Sequence, residues 1–478
     1  MNKEEKQYYS ILENYSKKTK QYTLNDASSV TGVSLFETEN AVKSLLENYD
    51  CRLKVTETGD LIYDFGNYLK ARNQKTFLNY FNEFLGLLWK GFTVFYKFMI
   101  SAFLVIYFII FLIILVGVVV AAMSGGKDND NKGIGNFFYL VLRIFISIFE
   151  WNTIMGYNNT YRRTDRYGYS YKHYTEKKGV LADLSGSKAD SQSNKAFVAS
   201  IYDFVFGPPR FKNNPLENMQ EVATFLKENR GLICTSEIQA LAGWTREDAE
   251  NFMTEVLSNF NGKAEVSDKA ILYGNFTDLL RRKDNVKGAP VIYYWDEYEP
   301  EHELTGNKPE RNAGIVAMNV FNLIFSLLLL FGPLKAITIE FPVLEYLLGW
   351  LPLVYSVLFF LIPAVRWVTL IPKKRQQHIT NIRKRIMKAI FQEQSAVITL
   401  KRLTEIANSN SKEEKLSEKT VEDIMMGVIY DLKGDSSVDN NGEMVYKFDE
   451  LDLELEEIER LRNDVRDDSS LGKIVFES

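Results

Sequence analysis

Apolar residues fill one stretch of the chain without interruption by a charge: residues 98–123, which number 26. A bilayer core about 30 Å thick is crossed by roughly 20 apolar residues in helical conformation. The helices of soluble domains keep one polar face, whereas this stretch is apolar all round. The pattern therefore predicts a membrane-spanning helix at 98–123.

Three other segments share this apolar character. Residues 137–151 form a short one that contains Arg143, so its pattern fits either a second span or a helix in the membrane interface. Residues 314–334 and 341–371 are longer and predict a third and a fourth span, with prolines that bend or end the fourth. The sequence thus predicts four spans, provided that residues 137–151 cross the bilayer.

The polar parts of the chain contain a pattern that occurs three times. In its first copy, a helix at 24–31 leads through a glycine turn to a helix at 35–49 and then to two short strands. Helix–turn–helix followed by a hairpin is the winged-helix arrangement. The hairpins read VTETGDLIYDF, VSDKAILYGNF and VDNNGEMVYKF, so three winged-helix-like modules are predicted. Between the third and first strings, the matching positions are Val438 with Val55, Gly442 with Gly59, Tyr446 with Tyr63, and Phe448 with Phe65.

These patterns predict the fold class: a mainly α membrane protein with four transmembrane helices in two hairpins and three α+β winged-helix-like cytoplasmic modules. The modules alternate with membrane segments and linkers. The predicted divisions are module 1 at 1–69, a basic membrane approach at 70–97, hairpin 1 at 98–155, a basic, Tyr-rich and Ser-rich linker at 156–215, module 2 at 216–283, an acidic aromatic linker at 284–313, hairpin 2 at 314–371, a basic flank with module 3 at 372–449, and an acidic helix with a tail at 450–478.

The charges around the spans predict their orientation. Lys and Arg accumulate on the cytoplasmic side of membrane proteins, and here they accumulate at 70–97, 157–178 and 373–388. Two in–out–in hairpins place these stretches, all three modules and both termini in the cytoplasm, with the spans in a bacterial inner membrane. The basic side chains expected at the lipid surface are Arg162, Arg163, Arg166, Lys373, Lys374 and Arg375.

Polar residues inside the apolar segments are the candidates for an intramembrane site. Arg143 is charged within its segment, and Glu345 begins the fourth span on the same predicted side, so the two can form a pair. Alternatively, the long side chain of Arg143 reaches out to the membrane interface. Asn319 and Asn322 on the third span are predicted to form hydrogen bonds between helices.

Composition excludes several kinds of site. The chain has 478 residues, a net charge of −5 and two cysteines, Cys51 and Cys234, which are far apart. Two isolated cysteines exclude a disulfide scaffold and a cysteine-built zinc or iron–sulfur site within one chain. The three histidines lie in polar linkers or flanks, and no phosphate-binding glycine loop or nucleophile motif occurs. The sequence therefore predicts no enzyme activity, no metal and no cofactor.

The second helices of the modules argue against nucleic acid as a partner. A winged helix that reads DNA needs a basic recognition helix to neutralise phosphates. Here the helices at 34–49, 245–260 and 417–432 carry net charges of −2, −3 and −3. Their acidic character favours docking to proteins. The acidic amphipathic helix at 450–465 is likewise expected to dock on a neighbouring domain or to bind a partner.

Three strings within residues 22–280 carry a resemblance to a known group: VTETGDLIYDF, YDFVFG and LICTSEIQALAGWTREDAENFMTEVLSNFNGKAEVSD. They resemble poorly characterised multi-pass membrane proteins of bacteria, cyanobacteria and chloroplasts with winged-helix-like cytoplasmic repeats. The matching motifs are structural, so the resemblance implies an architecture and no activity. Some plant members carry an iron–sulfur assembly label, which is not carried over because this chain lacks the cysteines for it.

Together the patterns predict a non-enzymatic membrane scaffold or adaptor that presents interaction modules. Its expected partners are membrane lipids, unidentified proteins and further copies of itself. Two alternatives remain open from the sequence. A small-solute or lipid transporter would have a polar cavity around Arg143, Glu345 and Asn319. A membrane-bound transcription regulator would need a basic surface on a face of a module other than its acidic second helix.

Overall fold

The computed structural model of the chain is mostly helical and contains small antiparallel sheets. It describes residues 3–66, 68–70, 99–120, 158–164, 170–176, 197–208, 214–281, 288–297, 299–307, 309–337, 342–393, 397–409, 415–440, 442–465, 471 and 473–477.

The first soluble unit, called unit 1, consists of a helix and a strand followed by two helices and two strands. Thr23 and Asp26 exchange hydrogen bonds in a capping box, which satisfies amide groups at the start of the second helix. Gly32 ends that helix in the left-handed conformation, and Ser34 caps the next helix. The elements of unit 1 are α1 (Lys3–Lys18), β1 (Gln21–Thr23), α2 (Leu24–Thr31), α3 (Leu35–Asn48), β2 (Arg52–Thr56) and β3 (Leu61–Asp64).

A long apolar helix, a hairpin and a short apolar helix follow unit 1. The long helix is of sufficient length and hydropathy to cross a membrane, as the sequence predicts for this stretch. The hairpin lies in a stretch that the sequence analysis treats as linker, and its Thr and Tyr residues favour strands. The elements are α4 (Met99–Val120), β4 (Asn158–Thr164), β5 (Ser170–Glu176) and α5 (Phe197–Phe206). The predicted second span at 137–151 lies outside the described residues.

The second soluble unit, unit 2, repeats the element order of unit 1. A capping box again begins its second helix, here with Glu237. Gly243 ends that helix in the left-handed conformation, and Thr245 caps the next. The elements are α6 (Glu217–Glu228), β6 (Leu232–Cys234), α7 (Thr235–Ala242), α8 (Arg246–Asn259), β7 (Lys263–Val266) and β8 (Leu272–Asn275), followed by a 3-10 turn at Thr277–Leu280.

Two further helices can cross a membrane by length and hydropathy, α9 (Pro309–Phe331) and α10 (Pro342–Glu393). Helix α9 ends at Phe331, and a 3-10 turn follows at Pro333–Ile337. Helix α10 extends beyond residue 371, where the predicted fourth span ends. It continues through Pro363 and Pro372 for 52 residues, or about 78 Å at roughly 1.5 Å per residue. One continuous helix therefore contains a stretch of membrane-spanning length and also forms the first helix of the third unit.

Interhelical hydrogen bonds fix the packing of the membrane helices. The hydroxyl of Tyr355 on α10 donates to the carbonyl of Ile100 at the start of α4, at 2.6 Å. The hydroxyl of Tyr107 donates to the carbonyl of Leu347 at 2.9 Å. Leu347 lies in a π-helical segment, Glu345–Trp350, whose widened turn leaves carbonyls for other donors. Helices α4 and α10 therefore run antiparallel.

The third soluble unit, unit 3, uses the end of α10 as its first helix. Its core includes Ile386, Met387 and Ile390 of α10 together with apolar residues from the later elements. These elements are β9 (Ile398–Thr399), α11 (Leu400–Ser409), α12 (Glu418–Leu432), β10 (Asp435–Val438) and β11 (Met444–Lys447). Helix α13 (Asp449–Asp464) and strand β12 (Ile474–Glu477) follow unit 3.

The three units share one sheet connectivity. The strand orders are β1-β3-β2, β6-β8-β7 and β9-β11-β10, so the third strand is always central. Each central strand leads to a buried phenylalanine: Phe65, Phe276 and Phe448 are 3%, 2% and 2% exposed. The three matched hairpin strings thus correspond to one repeated structural element.

The predicted linker at 284–313 packs against unit 3 over much of its described length. Trp295 is buried in the core of unit 3, with its ring centroid 5.0 Å from that of Phe391. Tyr293 stacks on Trp295 at 5.2 Å, and Lys388 pairs with Asp296 at 2.7 Å. These acidic and aromatic residues of the predicted linker thus find basic and apolar partners on α10.

Candidate interaction site

The three soluble units contact one another directly. Between units 1 and 2, helix α2 packs on α6, where Gln220 donates from its side chain to the carbonyl of Thr31 at 2.8 Å. Asn25 donates to the carbonyl of Asp278 at 2.9 Å. Both contacts involve side-chain amides and backbone carbonyls, a pairing that depends on the relative position of the units.

Arg383 on α10 is the central contact between units 2 and 3. It donates to the carbonyl of Gly243 in unit 2 at 2.8 Å and pairs with Asp431 in unit 3, also at 2.8 Å. Gln239 of unit 2 donates to the carbonyl of Asp431 at 2.7 Å. The ring of Tyr294 lies 5.6 Å from the Arg383 guanidinium carbon. Arg383 thus joins two units through charged and backbone partners at once.

A C-terminal segment, α13 with β12, connects all three units and is called the C-terminal clasp. Helix α13 leaves unit 3 and packs on unit 2, with Ile458 buried against Leu232 and Cys234. Strand β12 then pairs antiparallel with β2 of unit 1. The sequence predicts that this acidic helix docks on a neighbouring domain; the structure places it on unit 2 and its tail on unit 1.

Two carboxylates meet at the start of helix α7, where α13 crosses unit 2. Glu454 of α13 accepts hydrogen bonds from the backbone amide and the hydroxyl of Ser236, at 3.1 Å and 2.6 Å. Its other oxygen pairs with Arg246. Glu237 pairs with Arg462 of α13 at 2.7 Å. Glu237 at the start of α7 and Arg246 at the start of α8 thus each pair with an opposite charge on the clasp.

Burial makes these charges depend on one another. Burial raises the pKa of Glu237, and Arg462 acts against this rise. Burial acts to lower the pKa of Arg246, but hydrogen bonds to Glu454 and Glu250 raise it overall. Buried ions need a partner because an unpaired one loses its hydration without compensation. We infer that the clasp and unit 2 hold each other's charges in place.

Glu457 extends the contact to the hairpin of unit 2. Its carboxylate is 2.6 Å from Arg460 of α13 and 3.3 Å from Lys269 of unit 2. The hydrogen bond from Arg460 lowers the pKa of Glu457 to about 2 from an ordinary 4.5, although burial acts to raise it. A lowered pKa means that the ionised carboxylate stabilises the folded state.

Acid is expected to weaken this contact. Because the folded pKa of Glu457 is depressed, its contribution is complete above pH 4.5 and is lost as the pH falls towards 2. The thermal unfolding midpoint of the wild type in detergent should exceed that of Glu457→Gln at pH 7. The difference between the two unfolding midpoints should shrink to roughly half its pH 7 value near pH 3. Glu456→Gln, on the exposed side of α13, is the control, and a gap that stays constant with pH would contradict the assignment.

Two of the four predicted intramembrane residues, Asn319 and Asn322, form hydrogen bonds between helices. Asn319 donates to the carbonyl of Ser356 on α10 and Asn322 to the carbonyl of Leu104 on α4, both at 3.0 Å. Glu345 lies about three turns away from Ser356 along α10, so it is not close to Asn319. Arg143 lies outside the described residues.

The predicted lipid-facing basic residues fall into separate groups. Lys373, Lys374 and Arg375 are exposed on α10. Arg162 and Arg163 lie on strand β4, and Arg166 is outside the described residues. The other bases of the predicted basic flank bind unit 2, unit 3 or the segment before α9. These are Arg383, Lys384, Arg385 and Lys388.

Sequence reasoning missed the paired charges of the clasp, although a signal for them exists. Glu454 and Arg462 share a helical face with the apolar residues Leu451, Leu455 and Ile458. An ionisable residue in the buried stripe of a helix indicates a partner on the surface that the stripe covers. The identity of that partner depends on which unit the helix reaches, and the one-dimensional pattern does not contain it.

Comparison of the chain with protein-family models, with curated proteins and with solved structures finds no match. Among the residues that the structure describes, no group of three or more His, Cys, Asp and Glu side chains is placed to hold a metal ion.

Proposed function

We propose that the protein is a membrane-anchored scaffold that presents three winged-helix-like units to protein partners as one platform, without enzymatic activity. The observation that carries the proposal is the C-terminal clasp, which starts from unit 3, packs on unit 2 and pairs with unit 1. A chain whose units worked separately would have no need of charged and backbone contacts between all of them. A fixed arrangement suits the binding of a partner that touches more than one unit.

Helix α10 supports the same conclusion from the membrane side. It belongs to the membrane bundle at Ser356 and Phe359 and to the core of unit 3 at Ile386 and Ile390. A continuous helix transmits orientation, whereas a loop would let unit 3 turn freely. The platform is thus held at a set angle to the membrane.

The outward faces of α8 and α12, the acidic helices that precede the hairpins of units 2 and 3, favour protein partners over nucleic acid. On α8 the exposed residues include Glu247, Asp248 and Glu250, which would repel a phosphate backbone. On α12, Met426 and Tyr430 are 72% and 78% exposed among acidic neighbours. Exposed Met and Tyr beside charges are typical of protein-binding surfaces. We therefore assign these helix faces to contacts with protein partners and not with DNA.

The proposal includes a cytoplasmic location for all three units. Helix α5, which leads towards unit 2, packs with Leu104 near the start of α4 and with Ile315 near the start of α9. Arg366 near the far end of the α10 span donates to the carbonyl of Val205 in α5, at 3.1 Å. The attachments of units 2 and 3 and the start of α4 therefore lie at one end of the bundle, which supports the two-hairpin path.

Reporter fusions test this path. A topology reporter fused after Asn129 should report the outside of the inner membrane, and one fused after Asp284 should report the cytoplasm. The reason is that basic flanks stay on the cytoplasmic side. A periplasmic signal at Asp284 would contradict the second crossing at 137–151 and place unit 2 outside.

Crosslinking in membranes followed by purification tests the scaffold itself. The full chain should retain a stable protein partner or a further copy of itself, and recovery of the monomer alone would overturn the proposal. Glu454→Ala, which opens the clasp, should retain less of the partner than the exposed-site control Glu456→Ala. The described contacts give less support to transport, since the side-chain nitrogens of Asn319 and Asn322 are used between helices.

A further inference from the structure

Strand β12 is an addition to a sheet that the other two units complete without it. The sheets of units 2 and 3 have three described strands each. Among the described strands, only the sheet of unit 1 has a fourth, β12, which pairs with β2. Thr56, Val55 and Lys54 pair with Ile474, Phe476 and Glu477, with a register shift between Ile474 and Phe476. The edge of β2 can thus accept a strand from elsewhere in the sequence, and unit 1 has its full repeat without that strand.

The side chains of β12 bury little surface on unit 1. Ile474, Val475 and Phe476 are 46%, 67% and 60% exposed. The strand is held by main-chain pairing and by contacts at the hairpin turn. There Glu57 donates its amide to the carbonyl of Lys473 at 2.9 Å, and Thr58 donates its hydroxyl to the carbonyl of Leu471 at 3.2 Å. Main-chain pairing recognises an extended backbone and tolerates many side chains.

One charged contact gives the edge a chemical preference. The ammonium of Lys54 lies 3.2 Å from Asp64 within unit 1 and 3.0 Å from Glu477 of the added strand. Hydrogen bonds to Glu477 and Asp64 raise the pKa of Lys54, so it stays charged. An incoming strand therefore gains from an acidic residue at the position of Glu477.

We propose that the outer edge of β2 is a strand-acceptor site for an extended segment of a partner protein that carries an acidic residue opposite Lys54. Strand β12 occupies the site in cis and is exchanged for the partner's segment. This inference rests on the proposed scaffold function and names the binding mode of unit 1. Because β12 buries few side chains, its exchange leaves the core of unit 1 intact, and the contacts of α2 and Asn25 with unit 2 still hold unit 1 in the platform.

Peptide binding to the purified full chain in mild detergent tests the site. The probe is a fluorescent peptide with the sequence SLGKIVFES, measured by anisotropy against the full chain and against a chain ending at residue 470. The shortened chain should bind the peptide at least tenfold more tightly, because a tethered strand competes at an effective concentration of about a millimolar. Equal affinity for the two chains, or no binding to the shortened one, would overturn the proposal.

Matched peptides and a matched variant test the acid preference. A peptide of alternating Val and Thr with Glu at the position of Glu477 should bind the shortened chain, and the same peptide with Gln should bind several-fold more weakly. With Lys54→Gln in the shortened chain, the two peptides should bind equally. The SLGKIVFES peptide with Pro at the position of Phe476 should not bind, because proline disrupts strand pairing. A Glu preference that survives Lys54→Gln would overturn the charge assignment.

The result separates this inference from the scaffold proposal. If the full chain retains a partner in membranes but the shortened chain does not bind the peptide, the strand-acceptor site is wrong and the scaffold stands. If the shortened chain binds the peptides but no partner or copy is ever retained, the scaffold is wrong and the acceptor edge stands. If the full chain is a dimer that shortening converts to a monomer, β12 is exchanged between copies and the partner assignment is overturned.

Discussion

Replacing Glu454 by alanine is expected to release helix α13 from unit 2. The substitution removes the acceptor of Ser236 and the partner of Arg246 at a buried contact. Removing one member of a buried ion pair costs about 3–5 kcal/mol. The lower end applies here, because Arg246 retains Glu250 at 2.9 Å.

Hydrogen exchange of the full chain in mild detergent measures this release. A loss of about 3 kcal/mol corresponds to roughly a hundredfold faster exchange of the amides that open with α13. The faster amides should lie in Asp449–Asp464 and Leu232–Cys234, while α1 and α3 of unit 1 keep their protection. Glu456→Ala is the control, since that side chain is exposed on the same helix. Equal exchange in the two variants would show that Glu454 does not hold the clasp.

A double-mutant cycle tests whether the side chains of Glu454 and Arg246 interact. Arg246→Ala should produce a smaller loss than Glu454→Ala, because it leaves Glu454 bonded to the amide of Ser236. The double variant should lose less than the sum of the two single losses if the side chains interact. Additive losses would mean that each residue acts through other neighbours.

Gly243→Ala is expected to be the most damaging single-methyl change between units 2 and 3. Gly243 has a φ of +69°, and a methyl group there would lie 2.5 Å from the ring of Tyr294. The left-handed backbone costs about 1–2 kcal/mol for a residue with a side chain, and the forced shift of a packed ring adds roughly 1–3 kcal/mol. Tyr294 also contacts Arg383, so the shift disturbs the bond from Arg383 to Gly243.

Gly59→Ala is the matched control for this prediction. Its φ is +84°, but no atom lies within 4 Å of the added methyl group. It should therefore cost only the backbone contribution of about 1–2 kcal/mol. Denaturant unfolding in detergent compares the two variants, and Tyr294→Ala should restore part of the stability lost in Gly243→Ala. Equal losses at the two glycines would contradict a packing role for Tyr294.

Local signals in the sequence predicted much of the soluble architecture. The helix bounds in unit 1 follow from Thr23, Gly32 and Ser34, whose capping and turn chemistry acts within a few residues. The repeated hairpin strings correspond to one sheet connectivity in all three units. Such features depend on neighbours in the chain, so they can be predicted without knowledge of the tertiary structure.

Distant partners decided several features that local composition left open. The prolines of the fourth span were compatible with a bend or an end, and α10 continues through Pro372 because the helix is held on either side of it, by the apolar helix bundle and by unit 3. The acidic aromatic linker packs on unit 3, because Trp295 lies in the core of that unit. Arg383 of the basic flank at 373–388 makes contacts between units 2 and 3.

The sequence by itself determined the apolar stretch at 98–123, two further membrane-length segments and a threefold repeat, because periodicity and hydropathy are properties of short stretches. Only the tertiary structure decided where the C-terminal residues go. Strand β12 and β2 are separated by more than 400 residues, and an edge strand pairs through main-chain groups that every residue except proline carries. No side-chain pattern specifies such a partner, so the clasp becomes visible only when all three units are in place.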